Sequence, residues 1–195
     1  MAISYPLSQP TATGFEQITL RAREATAMSE SPFSYKQQVF AHQGARWEAE
    51  VILPRSRKED MDKWISNIVS MRGQVGTMLI GDPDHASPRG SVSALSITGS
   101  AGDTTVGATI TGQIKKGDHF QLGTGGDAQL YMSLEVQDFS GNLEIWPPLR
   151  TDQSSASATL TNPKGVFRLK NNVTEWTVDN ASFYDMKISF IEDLT

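Results

Sequence analysis

Residues 46–53 place every second side chain, all apolar, on one side and three charged side chains on the other, and this pattern constrains the fold more than any other feature. One side of the segment carries Trp47, Ala49, Val51 and Leu53. The other side carries Arg46, Glu48, Glu50 and Ile52. A period of two residues predicts a β-strand with one buried face.

The residues just before this strand predict a tight turn. Gly44 can adopt a positive φ, so a two-residue loop at residues 43–44 would close a β-hairpin. In that register Phe40 would pair with Trp47. His42 would then lie on the Phe40 face, away from the glutamates, and a slip of one residue would reverse this.

Glu48 and Glu50 lie on the same face of the predicted strand, about 7 Å apart at ~3.3 Å per residue. Such a pair could serve acid–base chemistry. The simpler interpretation, which we favour, is an edge that faces solvent, a channel or a neighbouring subunit.

The composition excludes several classes of function. The chain has 195 residues and no cysteine, which excludes disulfides, zinc–thiolate sites, iron–sulfur clusters and cysteine nucleophiles. Its net charge of −5 does not suit a general nucleic-acid binder. There is no leader-like segment at residues 1–10 and no apolar run of ~20 residues, so we expect a soluble protein made in the cytoplasm, with no membrane contact.

Residues 57–72 predict the one clear helix. Met61, Trp64, Ile65, Ile68 and Val69 follow a helical period and should face the core. Ser56 and Glu59 have the spacing of a capping box at the N-terminus, and Gly73 is placed to end the helix.

The organisation predicted from the pattern is an insertion. Residues 1–85 and 161–195 read as one discontinuous β domain that includes the helix. Residues 86–160 are rich in Gly, Ser and Thr, with short strands between turn signals, and predict an inserted small β-barrel domain.

Few residues indicate chemistry. The segment GDPDH at residues 81–85 clusters Asp82, Asp84 and His85, but no second histidine stands at a metal-ligand spacing, so we expect no metal. The glycine loop at residues 123–128 reads as a turn between strands, and no catalytic motif is present, so we expect no catalytic or cofactor-binding residue and no cofactor. Trp146, before two prolines, is the candidate for a ligand or partner contact, although packing under a loop is the favoured alternative.

Longer stretches resemble a known family. They are ESPFSYKQQVFAHQGARWEAEVILP, RKEDMDKWISNIVSMRGQVGTMLIGDP, KKGDHFQLGTGGDAQLYMSLEVQDFSGNLEIWPPLR and NPKGVFRLKNNVTEWTVD. In order and extent the chain resembles the distal tail proteins of long-tailed, non-contractile bacteriophages.

The resemblance implies a tail-tube-like β-sandwich or split barrel with one packed helix. Copies of the chain, most often six, would form a ring in the virion tail, assembled in the cytoplasm of the bacterial host. The ring would bind the tail tube protein on one side and the hub or fibre proteins on the other, and DNA would pass through its channel without specific binding. Some relatives carry an iron–sulfur cluster, which a chain without cysteine cannot hold, and the resemblance supplies no catalytic residue.

We therefore expect a structural protein without enzymatic activity. A carbohydrate- or receptor-binding module, resting on the β-rich insertion and Trp146, is the first alternative, and a cell-wall hydrolase using Glu48 and Glu50 is the second. Because DNA should slide past the channel wall, we also expect acidic residues to outnumber basic ones on the lumen surface.

Overall fold

A computed structural model describes residues 3–10 and 14–194 of the chain. Within these ranges the fold is mainly β, with one α-helix and a nearly closed, barrel-like sheet of six strands. The fold class predicted from the sequence is therefore confirmed. Positions 1 and 195, the outer limits of the predicted domains, lie outside the described residues.

Fourteen strands and one α-helix follow each other along the described chain. The strands are β1 (Gln17–Glu30), β2 (Gln37–Ile52), β3 (Ser56–Arg57), β4 (Thr77–Ile80), β5 (Ala94–Gly99), β6 (Thr105–Thr111), β7 (His119–Leu122), β8 (Gln129–Ser133), β9 (Gly141–Trp146), β10 (Gln153–Ser157), β11 (Gly165–Leu169), β12 (Thr177–Val178), β13 (Phe183–Asp185) and β14 (Lys187–Glu192). The helix, α1 (Lys58–Ser70), lies between β3 and β4.

The first sheet has five strands in the order β1-β2-β14-β11-β4, all antiparallel to their neighbours. Its inner face buries the apolar side of β2, as the alternation predicted. Trp47, Ala49, Val51 and Leu53 are each at most 4% exposed. Helix α1 covers this face with the buried side chains of Met61, Trp64 and Ile68.

The start of the helix differs from the prediction. The helix begins at Lys58 with Arg57 as its N-cap residue, and no side chain caps it. Ser56 instead pairs with Tyr184 in a small sheet of β12, β13 and β3, and its hydroxyl donates to the Pro54 carbonyl at 2.7 Å. The capping box is wrong because strand pairing holds Ser56 away from the helix.

The hairpin predicted at residues 43–44 is also wrong. β2 runs straight through these residues and pairs with β1, so Trp47 lies opposite Ala22 and not opposite Phe40. The chain turns earlier, at residues 31–36, between β1 and β2.

The second sheet has six strands in the order β10-β5-β6-β9-β8-β7. Gln121 of β7 exchanges backbone hydrogen bonds of 2.9 and 2.8 Å with Thr159, just after β10, and this bridge nearly closes the sheet on itself. The interior is a separate apolar core that includes Ile97, Phe120, Tyr131 and Leu143. The glycine loop joins β7 to β8, as expected for a turn.

The two sheets meet at Trp47. Its indole Nε1 donates to the Leu130 carbonyl of β8 at 2.9 Å, and Leu130 belongs to the core of the first sheet. In the described parts of the chain, no helix is long and apolar enough to cross a membrane.

Candidate functional site

Glu48 lies at the centre of an ion-pair cluster on the outer side of the first sheet, opposite the core. Three cations donate to its carboxylate: Arg46 at 2.8 Å, Arg23 at 3.1 Å and Lys170 at 3.2 Å. The hydrogen bond from Arg46, helped by those from Lys170 and Arg23, lowers the pKa of Glu48 from 4.5 to about 2 and outweighs the opposing effect of burial. Glu48 is therefore a fully ionised carboxylate that is only 6% exposed.

Glu50, one step along the same face, binds two further cations. Lys187 lies 2.8 Å from its carboxylate and Arg21 lies 3.3 Å away. The hydrogen bond from Lys187 is the main cause of a lowered pKa at Glu50. Both predicted glutamates thus belong to one network across three strands and the end of β11.

We call these residues the charged face: Arg21, Arg23, Arg46, Glu48, Glu50, Lys170 and Lys187. Five cations surround two carboxylates, so this surface is net positive although the whole chain carries a net charge of −5. The prediction that acidic residues outnumber basic ones on the lumen surface stays a prediction, because a single subunit does not show which of its surfaces would line a channel.

The charged face also bears on the hydrolase alternative. A general acid must hold a proton near neutral pH, which requires a raised pKa. The pKa values of Glu48 and Glu50 are both lowered. Neither Glu48 nor Glu50 therefore holds a proton to donate near neutral pH. The hydrolase alternative lacks the general acid that it requires.

A second surface feature is the long hairpin of β1 and β2, whose outer half we call the arm (residues 24–45). β14 pairs with β2 only from Glu48 to Ile52, so the arm extends beyond the sheet as two strands with no further strand beside them among the described residues. The arm carries large apolar side chains that are about half to almost fully exposed: Met28 63%, Phe33 96%, Tyr35 75%, Val39 62% and Phe40 49%.

Trp146, the sequence candidate for a partner contact, is half-buried between the two sheets. Its ring packs edge-on against Trp47, with centroids 4.4 Å apart, and its indole nitrogen donates to the Glu24 carboxylate. The structure therefore uses Trp146 for internal packing. The carbohydrate-binding alternative then rests on the β-rich insertion alone.

A third group of residues was not predicted as a site. Asp82 and His85 follow β4 of the first sheet, and His119 begins β7 of the second. Asp82 and His85 are joined by a 2.9 Å contact between Oδ2 and Nδ1, and the rings of His85 and His119 stack with centroids 4.0 Å apart. Each of the three offers one ligand atom within 4.8 Å of the other two.

The sequence alone indicates only the two members of this group that are close in the chain, Asp82 and His85. Residues 81–85 contain Asp82 and His85, but no second histidine stands near them in the sequence, so the spacing predicts no metal site. His119 comes from a distant strand, and a spacing rule cannot detect a partner that only the fold brings close.

Two comparisons with known proteins bear on the identity of the chain. A scan against protein-family models finds no match to this chain, and a search of curated proteins finds none either. The resemblance to distal tail proteins therefore stays a prediction, and the function has to be argued from the surfaces described above.

Proposed function

We propose that this chain is a structural protein that assembles into a ring of identical subunits, six in number, at the distal end of a phage tail. The ring joins the tail tube to the tip hub or fibres and leaves a channel for DNA. The resemblance in sequence suggests this role, and the arm is the observation that carries it.

The arm requires another protein surface to pack against. Two strands without further support are at best marginally stable in water, and this pair exposes apolar side chains on both faces. In the antiparallel register Met28 lies opposite Val39 and Phe40 opposite Ala27, so successive pairs point to opposite sides. Exposed apolar side chains concentrated in one segment in this way mark a protein interface.

The backbone of the arm points to a second copy of the chain as that neighbour. β1 is an edge strand of the first sheet, and the outer edge of β2 is free of a strand over residues 37–46 in the described structure. Free edges pair readily with a strand of another subunit. An arm that binds a different surface on the next copy makes a head-to-tail contact, and such contacts form a ring when the rotation from copy to copy closes.

The charged face helps to orient the subunit. A net positive wall would hold phosphates, whereas DNA must slide through the channel. We therefore assign the charged face to contacts with protein neighbours and not to the lumen.

The first test is the native mass of the purified full-length chain, measured by light scattering and checked by negative-stain microscopy. Six chains of 21.3 kDa would give about 128 kDa. The double variant Phe33→Ser/Phe40→Ser should dissociate the ring while leaving the unfolding transition of the subunit unchanged. Val173→Ser, which alters an equally exposed apolar residue outside the arm, should leave the ring intact.

The second test places the chain in a particle. Gold-labelled antibodies against the purified protein, applied to phage particles from a host that carries the gene, should mark the tail tip. Label there with a monomer in solution would mean that the ring forms only on the tail. A monomer in solution together with unlabelled tails would refute the proposal.

A further inference from the structure

We propose that Asp82, His85 and His119 bind one divalent transition-metal ion, with Zn²⁺ the best fit, and that this ion fastens the second sheet to the first. The inference is independent of the proposed ring, since it rests on groups within one subunit.

The donor set suits Zn²⁺. Two imidazoles and one carboxylate are the ligands that zinc takes in sites with three protein ligands, where water fills the fourth position. An all-oxygen site would suit Mg²⁺ or Ca²⁺ instead, and this cluster has too few oxygens for either. The affinity of such a site for divalent first-row metals generally rises from Mn²⁺ through Co²⁺ to Cu²⁺ and falls again at Zn²⁺. Co²⁺ should therefore bind the same three ligands, and it can replace Zn²⁺ in spectroscopic measurements.

His119 gives a second and independent indication of a ligand. The residue is only 6% exposed, and its Nδ1 atom has no hydrogen-bond partner among the described residues. A buried polar atom without a partner is costly and needs an explanation.

The surroundings already hold the ligands in place. Asp82 Oδ1 accepts the backbone N–H of Asp84 at 3.0 Å, which leaves Oδ2 directed at His85. Trp47 packs edge-on against the other side of the His119 ring, with centroids 5.6 Å apart. Such supporting contacts orient ligands around an ion.

Binding requires the His85 ring to turn out of its stacked arrangement with His119, because a metal–nitrogen bond lies in the plane of each imidazole. Ligand atoms around a tetrahedral zinc lie about 3.4 Å apart, given metal–ligand bonds near 2.1 Å. The three ligand atoms lie within 4.8 Å of one another, so they must close by roughly 1.5 Å at most. The side chains of His85 and Asp82 retain 23% and 19% exposure, and they can rotate to do so while exchanging their mutual hydrogen bond for the metal.

The test uses the full-length chain without an affinity tag, treated with chelator and titrated with ZnCl₂ by calorimetry. We expect one Zn²⁺ per chain. Co²⁺ bound at the site should give a visible absorption spectrum of tetrahedral type. When free Zn²⁺ is 100 times its dissociation constant, the folding equilibrium should shift about 100-fold towards the folded state. His85→Gln and Asp82→Asn should each weaken binding by at least about 10-fold.

Two further variants sharpen the result. His119→Gln should also abolish binding, and the more exposed His85→Gln and Asp82→Asn decide the matter if the His119 variant fails to fold. His42→Gln is the matched control, because His42 is exposed on the arm, and it should bind zinc normally. Absence of stoichiometric binding, or affinity unchanged in both His85→Gln and Asp82→Asn, would overturn the inference.

Discussion

Replacing Glu48 with glutamine should destabilise the protein at neutral pH and have little effect in strong acid. The substitution keeps the shape of the side chain and removes the charge that joins Arg23, Arg46 and Lys170. The three cations would then repel one another across the outer side of the sheet.

The size of the effect follows from the titration of Glu48. Its pKa falls from 4.5 to about 2 on folding, which at about 1.4 kcal/mol per pKa unit sets an upper limit of about 3 kcal/mol. The partner side chains are 36–63% exposed, so solvent screens the pairs and we expect about 1–2 kcal/mol.

The dependence on pH has a definite sign. Because the folded-state pKa is the lower one, the stabilisation is fully present above pH 4.5 and disappears as the pH falls towards 2. The test is urea unfolding of wild type and Glu48→Gln at pH 7 and at pH 3. The difference between the two proteins in unfolding free energy should be less than half as large at pH 3 as at pH 7. Adding 1 M salt at pH 7 should also reduce this difference.

Glu175→Gln provides the control, since Glu175 is exposed and forms none of the ion pairs described. It should change the unfolding free energy by less than about 0.5 kcal/mol. A loss in Glu48→Gln that is the same at both pH values, or one matched by Glu175→Gln, would refute the account of the charged face.

Two other changes test the interior. Trp47→Phe removes the hydrogen bond to the Leu130 carbonyl and opens space between the two sheets. We therefore expect the free energy of unfolding, measured with denaturant, to fall by about 2–4 kcal/mol. The control Trp176→Phe alters a more exposed tryptophan and should lower it by less than about 0.5 kcal/mol. Gly112→Ala and Gly102→Ala both place alanine at a φ near +90°, but the new Cβ at position 112 would lie 2.2 Å from the Ser91 carbonyl oxygen whereas that at 102 meets nothing. We expect about 2–4 kcal/mol for the first and about 1–2 for the second in the same assay, and equal losses would show that the contact with Ser91 is unimportant.

The buried face of β2 could be predicted because it depends on local periodicity alone. The turn could not, because Gly44 has a role that depends on a distant strand. The pairing of β1 with β2 shifts register between Glu24 and Thr26, and a Cβ on Gly44 would lie only 3.0 Å from the Cβ of Ala25. The glycine therefore serves an irregularity between two strands, which a single-strand pattern does not reveal.

Alternation does not predict strand β10 either. Its sequence, QSSAS, is polar and has no clear alternation, and the strand lies at one end of the sheet order, paired with β5.

The overall composition likewise does not reveal the charged face. A net charge averaged over the chain does not show that cations from four separate strands or strand ends meet around two glutamates.

The candidate metal cluster shows the limit of spacing rules most directly. Asp82 and His85 are neighbours in sequence and could be noticed, but the third ligand arrives from β7 only when the second sheet docks beside Trp47. Contacts between groups far apart in the chain arise from the fold, and sequence analysis could supply only the local half.

The pairing of Ile80 with Gly165 has a consequence for how the chain reaches this fold. The residues between them, 81–164, leave and rejoin the first sheet at directly opposed positions of β4 and β11. In a disordered chain, bringing such remote ends together costs conformational entropy that grows with the length of the loop. If the second sheet forms first, it holds those two ends close together and removes most of that entropic cost. The topology therefore favours a folding order in which the central segment folds before the two ends of the chain pair with each other.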